Sequence, residues 1–237
     1  MDIHRPKAPI HGLRDFAKEV GIIVLGVLIA LAGEQAVEAL SWRHQVAEAK
    51  AVLKDELAVD AADFYERVAV EPCLTARLEI IEGILAKSGG AWRAGDLPVG
   101  HFRGVYGMPW RTYPGQAWQN ALASGAAAHM SRQDLPTYEA IYNNVADLHQ
   151  MNEQEVQARA QIDALDHDQA LTDVSRDRYQ KTLVDLRFYA NASARIADES
   201  LQELKSMGLL PPPAALAETL GDTRKTYGTC VKTPTIG

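Results

Sequence analysis

The sequence predicts an all-α protein in which one N-terminal transmembrane helix continues into a soluble bundle of about four helices. Three observations point there. Fourteen consecutive uncharged residues, Val20 to Gly33, sit between Glu19 and Glu34. Apolar residues then recur at three- and four-residue steps along most of the remaining chain, the spacing of amphipathic helices. No stretch alternates apolar and polar residues convincingly, as a half-buried strand does. With 237 residues, 47% of them hydrophobic and 23% charged, the chain can bury one sizeable core and still carry an anchor. The expected layout is a basic leader over 1–15, an anchor helix over 16–42, and a helical domain over 43–210. An aromatic, Gly/Pro-rich insertion lies at 89–116, and a tail at 211–237.

The anchor comes first. Fourteen helical residues rise about 21 Å, short of a hydrocarbon core of roughly 30 Å. The flanks supply the difference. Lys18 can reach back to headgroups, Ala36, Val37, Ala39 and Leu40 extend the apolar face, and Phe16 and Trp42 stand where interfacial aromatics belong. Glu19, Glu34 and Glu38 then sit near the headgroups, where acids are tolerated. Two other readings stay open. Ala30-Leu31-Ala32 is an A-x-A pattern behind a basic segment, as in a cleaved signal peptide, and a short apolar helix can also belong to a soluble core. Against cleavage, Glu34 to Leu40 are strong helix formers, and peptidase needs an extended segment.

Charge sets the orientation. The net charge is −7, yet residues 1–18 hold Arg5, Lys7, Arg14 and Lys18 against Asp2 and Asp15. A positive segment before the apolar run and an acidic body after it predict a bacterial inner-membrane protein, N-terminus cytoplasmic and main domain periplasmic. The acidic body argues against nucleic acid as a partner. Gly26, Ala30 and Gly33 share one helix face, the small-residue pattern that lets membrane helices approach closely. The partners expected are therefore the lipid bilayer and a second copy or a larger membrane complex. Small residues are also simply common in such helices.

The soluble elements follow in order. Between Glu34 and Val70 there is no Gly or Pro, and Trp42, Val46, Ala49, Leu53, Leu57, Ala61, Phe64 and Val68 form one stripe. One helix is expected over about 13–70. Glu71-Pro72 marks a break or restart, because proline suits a first helical turn. Leu74, Leu78, Ile81 and Leu85 make a second stripe that ends at Ser88-Gly89-Gly90. Residues 89–116 read as irregular, and 117–128 as a short helix. Ser131 to Asp134 fits a capping box opening a third long helix with Tyr138, Ile141, Val145, Leu148 and Val156 inside. After an acidic turn near 163–173, a fourth helix carries Tyr179, Leu183, Leu186, Ala190, Ala197, Leu201 and Leu204 and ends at Gly208. A short helix over about 214–220 precedes a loosely packed end.

Chemistry-bearing motifs are scarce. Cys73 and Cys230 are the two cysteines, and outside the cytoplasm so sparse a pair is most simply a disulfide tying the second stripe to the tail. Two unrelated thiols are the alternative. None of the seven histidines forms a His-x-x-x-His pair, and Asp163 to Asp168 lacks the spacing and glycine of a calcium loop. No cofactor or metal is expected. The chain has no G-x-S-x-G, no P-loop and no H-E-x-x-H, so nothing marks it as an enzyme. The densest polar-aromatic cluster is Phe102, Arg103, Tyr106, Trp110, Arg111, Tyr113 and Trp118. Such residues contact a ligand or partner, or close a lid over the open end of the bundle.

Three segments together resemble a bacterial family of small single-span helical proteins whose domain is of unknown function. They are GVLIALAGEQAVEALSWRHQ (26–45), LKDELAVDAADFYER (53–67), and Trp118 to Gly125 followed by Tyr138-Glu-Ala-Ile-Tyr142. The Trp118–Gly125 spacing is one residue longer than that family's pattern. The resemblance implies an envelope location and a helical body, and carries over no catalytic residue. The function expected is a membrane-anchored envelope interaction or accessory protein. The alternative is a periplasmic ligand-binding or sensing module built on residues 101–120.

Overall fold

The computed structural model describes residues 12–98 and 104–236. The fold is all-α, and the chain divides into two units between Glu48 and Ala49. Helix α1 runs over Leu13–Lys87, 75 residues, and contributes to both. In the first unit every described side chain from Phe16 to Leu40 is exposed. That face includes nine large apolar residues between Val20 and Leu31. Leaving such residues in water forgoes about 1.5–3 kcal/mol each. The segment is long and apolar enough to cross a membrane.

The second unit is the folded domain. Its core consists of the remainder of α1, a long helix α3 over Asp134–Ile162 and a longer one, α4, over Asp173–Ser206. Two shorter helices complete it, α2 over Gln116–Ala123 and α5 over Pro213–Tyr227. The predicted α1 stripes are buried at Leu53, Leu57, Ala61, Phe64, Leu74, Leu78, Ile81 and Leu85, while Trp42, Val46, Ala49 and Val68 are only half-buried. The α4 stripe is buried in full from Tyr179 to Leu204. Its start is a capping box between Thr172 and Ser175. Its end is a Schellman turn: Leu209 N–H bonds the Leu204 carbonyl and Gly208 N–H the Lys205 carbonyl, with Gly208 at φ 67°.

Four expectations need correction. Glu71-Pro72 does not break the helix, which continues to Lys87. A proline inside a helix leaves the carbonyl one turn back without its N–H and disturbs the adjacent bonds, at about 3 kcal/mol. Here the tail closes on that weak point. Lys232 N–H bonds the Ala69 carbonyl at 3.1 Å. Cys230 is disulfide-bonded to Cys73, one residue past the proline.

The tail is accordingly not loose. Helix α5 extends to Tyr227, well beyond residue 220, because Leu220, Thr223 and Tyr227 are spaced to share one buried face. The short helix expected over 117–128 splits: α2 ends at Ala123, and Gly125 at φ 79° turns the chain into a 3-10 turn over Ala126–His129. The interior of α3 also differs. Val156 is exposed, and the inner face runs on through Asn152, Glu155 and Ala158 instead.

Two arginines bind backbone around the end of α1 and the start of the insertion. Arg176 on α4 donates to the carbonyls of Leu85, Ser88 and Gly89, where α1 ends and its carbonyls have no helical partner. Arg77 donates to Val105 O at 2.7 Å, Pro98 O at 2.9 Å and Gly104 O at 3.3 Å, clamping both sides of the segment 99–103. A two-residue antiparallel pairing, Ala91–Trp92 with Gln169–Ala170, joins the insertion to the α3–α4 turn. Buried Trp92 donates its indole N–H to Leu165 O at 2.7 Å. The strands are too short to count as a sheet layer.

The disulfide closes a loop of 157 residues, for which chain entropy alone gives a stabilisation of about 5 kcal/mol and practice often less. Cys73→Ser with Cys230→Ser is expected to lower unfolding stability by about 2–5 kcal/mol in denaturant titration. Reductant should lower the wild type to the same level and leave the double variant unchanged.

Candidate functional site

The insertion and the middle of α1 bring the domain's polar and aromatic side chains together. At the centre Arg67 and Glu155 form a salt bridge of 2.7 Å, both buried. Tyr106 donates to the other Glu155 oxygen at 2.7 Å, and Arg67 also reaches Ala190 O on α4 at 3.4 Å. One ion pair thus joins α1, α3, α4 and the insertion. Burial pushes the Tyr106 hydroxyl well above its ordinary value, and Glu155 pushes it further, so it remains a donor.

Around this pair the insertion wraps α1. Arg111 bridges Asp63 at 2.9 Å and Glu66 at 2.5 Å. Its own carbonyl accepts from Asn152 at 2.9 Å, and the next carbonyl, of Thr112, is 2.8 Å from His149 Nδ1. Tyr113 follows with φ 45°, a left-handed conformation that costs a side-chain-bearing residue about 1–2 kcal/mol. Its ring stacks on Phe64 with centroids 5.9 Å apart, and the two rings are buried together. Burial pushes the Tyr113 hydroxyl upward as well.

Glu56, two turns before Phe64 on α1, organises the next element. Its carboxylate accepts from Ala117 N–H at 3.2 and 3.3 Å, at the start of α2, and from the Tyr142 hydroxyl at 2.9 Å. A carboxylate on the first-turn N–H groups of a helix is where the backbone dipole favours negative charge. Trp118 on α2 stacks on Tyr142 of α3, centroids 5.7 Å apart and planes 10° from parallel. Above that stack lies an open cleft of about 440 Å³ between residues 112–119 and α3. Thr112, Gln116, Gln119 and His149 supply its polar atoms, and Tyr113, Pro114, Trp118 and Val145 its apolar ones.

The sequence cluster therefore separates into distinct roles. Tyr106 and Tyr113 enter the core, Arg111 crosses to α1, and Trp118 underlies the cleft. Trp110 stands 67% exposed. Phe102 and Arg103 lie outside the described residues. On the N-terminal part of α1, Gly26 and Gly33 face open space, with nothing within 4 Å of a methyl group placed there, and Ala30 lies between them, exposed. Gly33, Val37, Ser41 and Trp42 line a shallow groove along the same unit. Among the described residues no group of His, Cys, Asp and Glu is arranged to hold a metal ion. The acidic turn after α3 is structural: Asp168 accepts from Ala94 N–H at 2.8 Å.

Sequence reasoning missed Glu56, Asp60, Arg67 and Glu155. The signal was present for one of them. Continuing the α3 stripe from Leu148 in steps of four and three gives Asn152 and Glu155, but a search for apolar partners passes over them. For the other three, charge on a helix reads equally well as a solvated face.

Compared with known proteins, the chain matches no known family, no characterised protein and no solved structure.

Breaking a buried pair by removing one partner costs about 3–5 kcal/mol, because the other charge is left buried alone. Arg67→Met and Glu155→Leu are each expected to destabilise the domain by about that amount. The double variant should lose clearly less than the sum. A double-mutant cycle by denaturant unfolding measures the coupling.

Proposed function

We propose that this protein is a membrane-anchored envelope protein whose helical domain, on the periplasmic side, serves as an interaction or accessory module for a larger complex. The observation that carries this reading is the exposed apolar run Val20–Leu31 on a helix that continues unbroken through Ala30-Leu31-Ala32. A segment of that composition needs an apolar solvent, and a helix at the small-residue pattern is a poor substrate for signal peptidase. Three further features support it. Arg14 and Lys18 precede the run while the domain is acidic, in keeping with a cytoplasmic N-terminus. The Cys73–Cys230 disulfide suits an oxidising compartment. The resemblance in segments 26–45, 53–67 and 118–142 to single-span bacterial proteins agrees with the same placement.

The cleft above Trp118 and Tyr142 favours a second reading, a periplasmic ligand-binding module. Its volume of about 440 Å³ lies within the range of small-molecule sites, and it mixes apolar walls with a few polar groups. A ligand there stabilises the domain in proportion to its concentration over its Kd. Under this reading some small metabolite raises the melting temperature of the wild type and not of Trp118→Ala. No such shift across a metabolite screen leaves the interaction reading.

The anchor is tested on washed membranes. The expected result is full-length protein in the carbonate-resistant pellet, gaining two hydrogens in mass on reduction. A soluble product beginning at Gly33 would overturn the anchor. Within the anchor, Gly26→Leu with Ala30→Leu is expected to reduce self-association or co-purification of partners from detergent extracts. Unchanged association shows that this face makes no helix contact.

A further inference from the structure

Among the described residues, the Asp60 carboxyl is one for which the packing provides no counterpart. Asp60 lies on the inner face of α1, 0% exposed, and neither of its oxygens has a hydrogen-bond partner among the described residues. The charged groups that act on it are both negative: Glu56 one turn before it and Asp63 three residues after it on α1. From α3 the group that senses it is Tyr142, whose hydroxyl is pushed far up, by burial first and then by its bond to Glu56, and so keeps its proton. Arg111 is committed to Asp63 and Glu66. In such a place the neutral acid is favoured. Burial first, then Glu56 and Asp63, raise the Asp60 carboxyl from 3.8 to about 8.

The consequence follows from what Glu56 holds. Its carboxylate is the shared acceptor of Ala117 N–H on α2 and of the Tyr142 hydroxyl on α3. Those two bonds fix the side of the cleft on which Trp118 stacks against Tyr142. We propose that Asp60 is a proton-held latch on this cleft. With its proton in place, Glu56 keeps both bonds. When solvent base removes the proton, a second buried carboxylate appears one helical turn from Glu56 with no cation or N–H to receive it. Two like charges so placed repel, and the bond to Ala117, at the end of a short helix, is the one free to give. The start of α2 then lifts and the cleft widens, while the Arg67–Glu155 pair and the disulfide hold the rest of the domain.

The sign of the stability effect is set by the direction of the shift. The folded domain keeps a proton that the unfolded chain releases near the ordinary carboxyl value. Stability from this group is therefore greatest below about pH 4, falls as pH rises, and levels off above about pH 8.

The test uses the full chain in detergent, with NMR of the Asp60 side-chain carboxyl and the Ala117 amide from about pH 6 to about pH 10. Both are expected to titrate with one midpoint near 8, and exchange of the Ala117 amide should rise about tenfold more than that of Ala190 in the core. In Asp60→Asn the Ala117 signal should stay at its low-pH position throughout. In Glu56→Gln, which removes the repelled charge, it should no longer follow Asp60. An Asp60 carboxyl that titrates below about pH 6 overturns the latch. So does an Ala117 amide that ignores Asp60 or titrates equally in Asp60→Asn. Loss of helical circular dichroism at the same midpoint also overturns it, since the whole domain would then be opening. Should Asp60→Asn fail to fold, the two wild-type titrations decide the matter between them.

Discussion

The buried pair of Arg67 and Glu155 is the constraint on which the domain depends. A charge taken out of water is tolerated only when a partner and further hydrogen bonds receive it. Glu155 meets that condition by accepting from Tyr106 as well as Arg67, and Arg67 by reaching the Ala190 carbonyl. Satisfying these two side chains therefore sets the register of α1 against α3 and α4 and draws residue 106 of the insertion into the centre. A one-turn slip of α3 would put Asn152 or Ala158 opposite Arg67 and leave the charge without a carboxylate. Apolar packing alone tolerates such slips far better, because leucines and isoleucines replace one another with small losses.

Around that centre the same economy of contacts recurs. Arginines in this acidic domain bind backbone carbonyls as well as carboxylates. Arg176 receives the carbonyls where α1 ends, and Arg77 holds Pro98, Gly104 and Val105 together. A guanidinium presents several donors in a fixed plane, which is why one side chain can satisfy three acceptors. Pro72 follows the same logic in reverse. It weakens α1 at one turn, and the C-terminal segment is fastened there by one backbone hydrogen bond and one disulfide. The tail, which lacks a core of its own, is thereby fastened beside the proline turn of α1.

The two units of the chain differ in what their helices leave exposed. In the first, the described apolar side chains from Phe16 to Leu40 are exposed, and Trp42 donates to Glu38 one turn away at 3.4 Å. In the second, a stripe from Leu53 to Leu85 is buried, together with Asp60, Arg67 and Arg77. The change occurs along one helix without a loop, so the helix is specified by backbone propensity and its surroundings by side chains. The functional surfaces follow from that division. An exposed apolar helix with a small-residue face suits a bilayer and neighbouring helices. Beside the cleft over Trp118 and Tyr142, Glu56 accepts from Ala117 of α2 and from Tyr142 of α3.

Much of the fold was legible in the sequence because helices declare themselves locally. The stripes of α1 and α4, the stop at Gly208, the anchor run and the pairing of Cys73 with Cys230 all follow from spacing or from the absence of a second candidate. Other features depended on contacts between residues far apart in the chain. Proline normally ends a helix, yet α1 runs on past Pro72, and the tail is fastened there through Cys73 and Cys230, 157 residues apart in sequence. Tyr106 and Tyr113 read as ligand-facing aromatics until Glu155 and Phe64 are seen beside them. Asp60, Arg67 and Glu155 read as solvated charges, since a charged residue on a helix carries no mark of which way it faces. The sequence by itself determined the helical class, the long apolar N-terminal run and the covalent link, each a matter of local periodicity or composition. Only the tertiary structure decided which charges are buried and which groups answer them, because burial belongs to the assembled helices and not to any one of them.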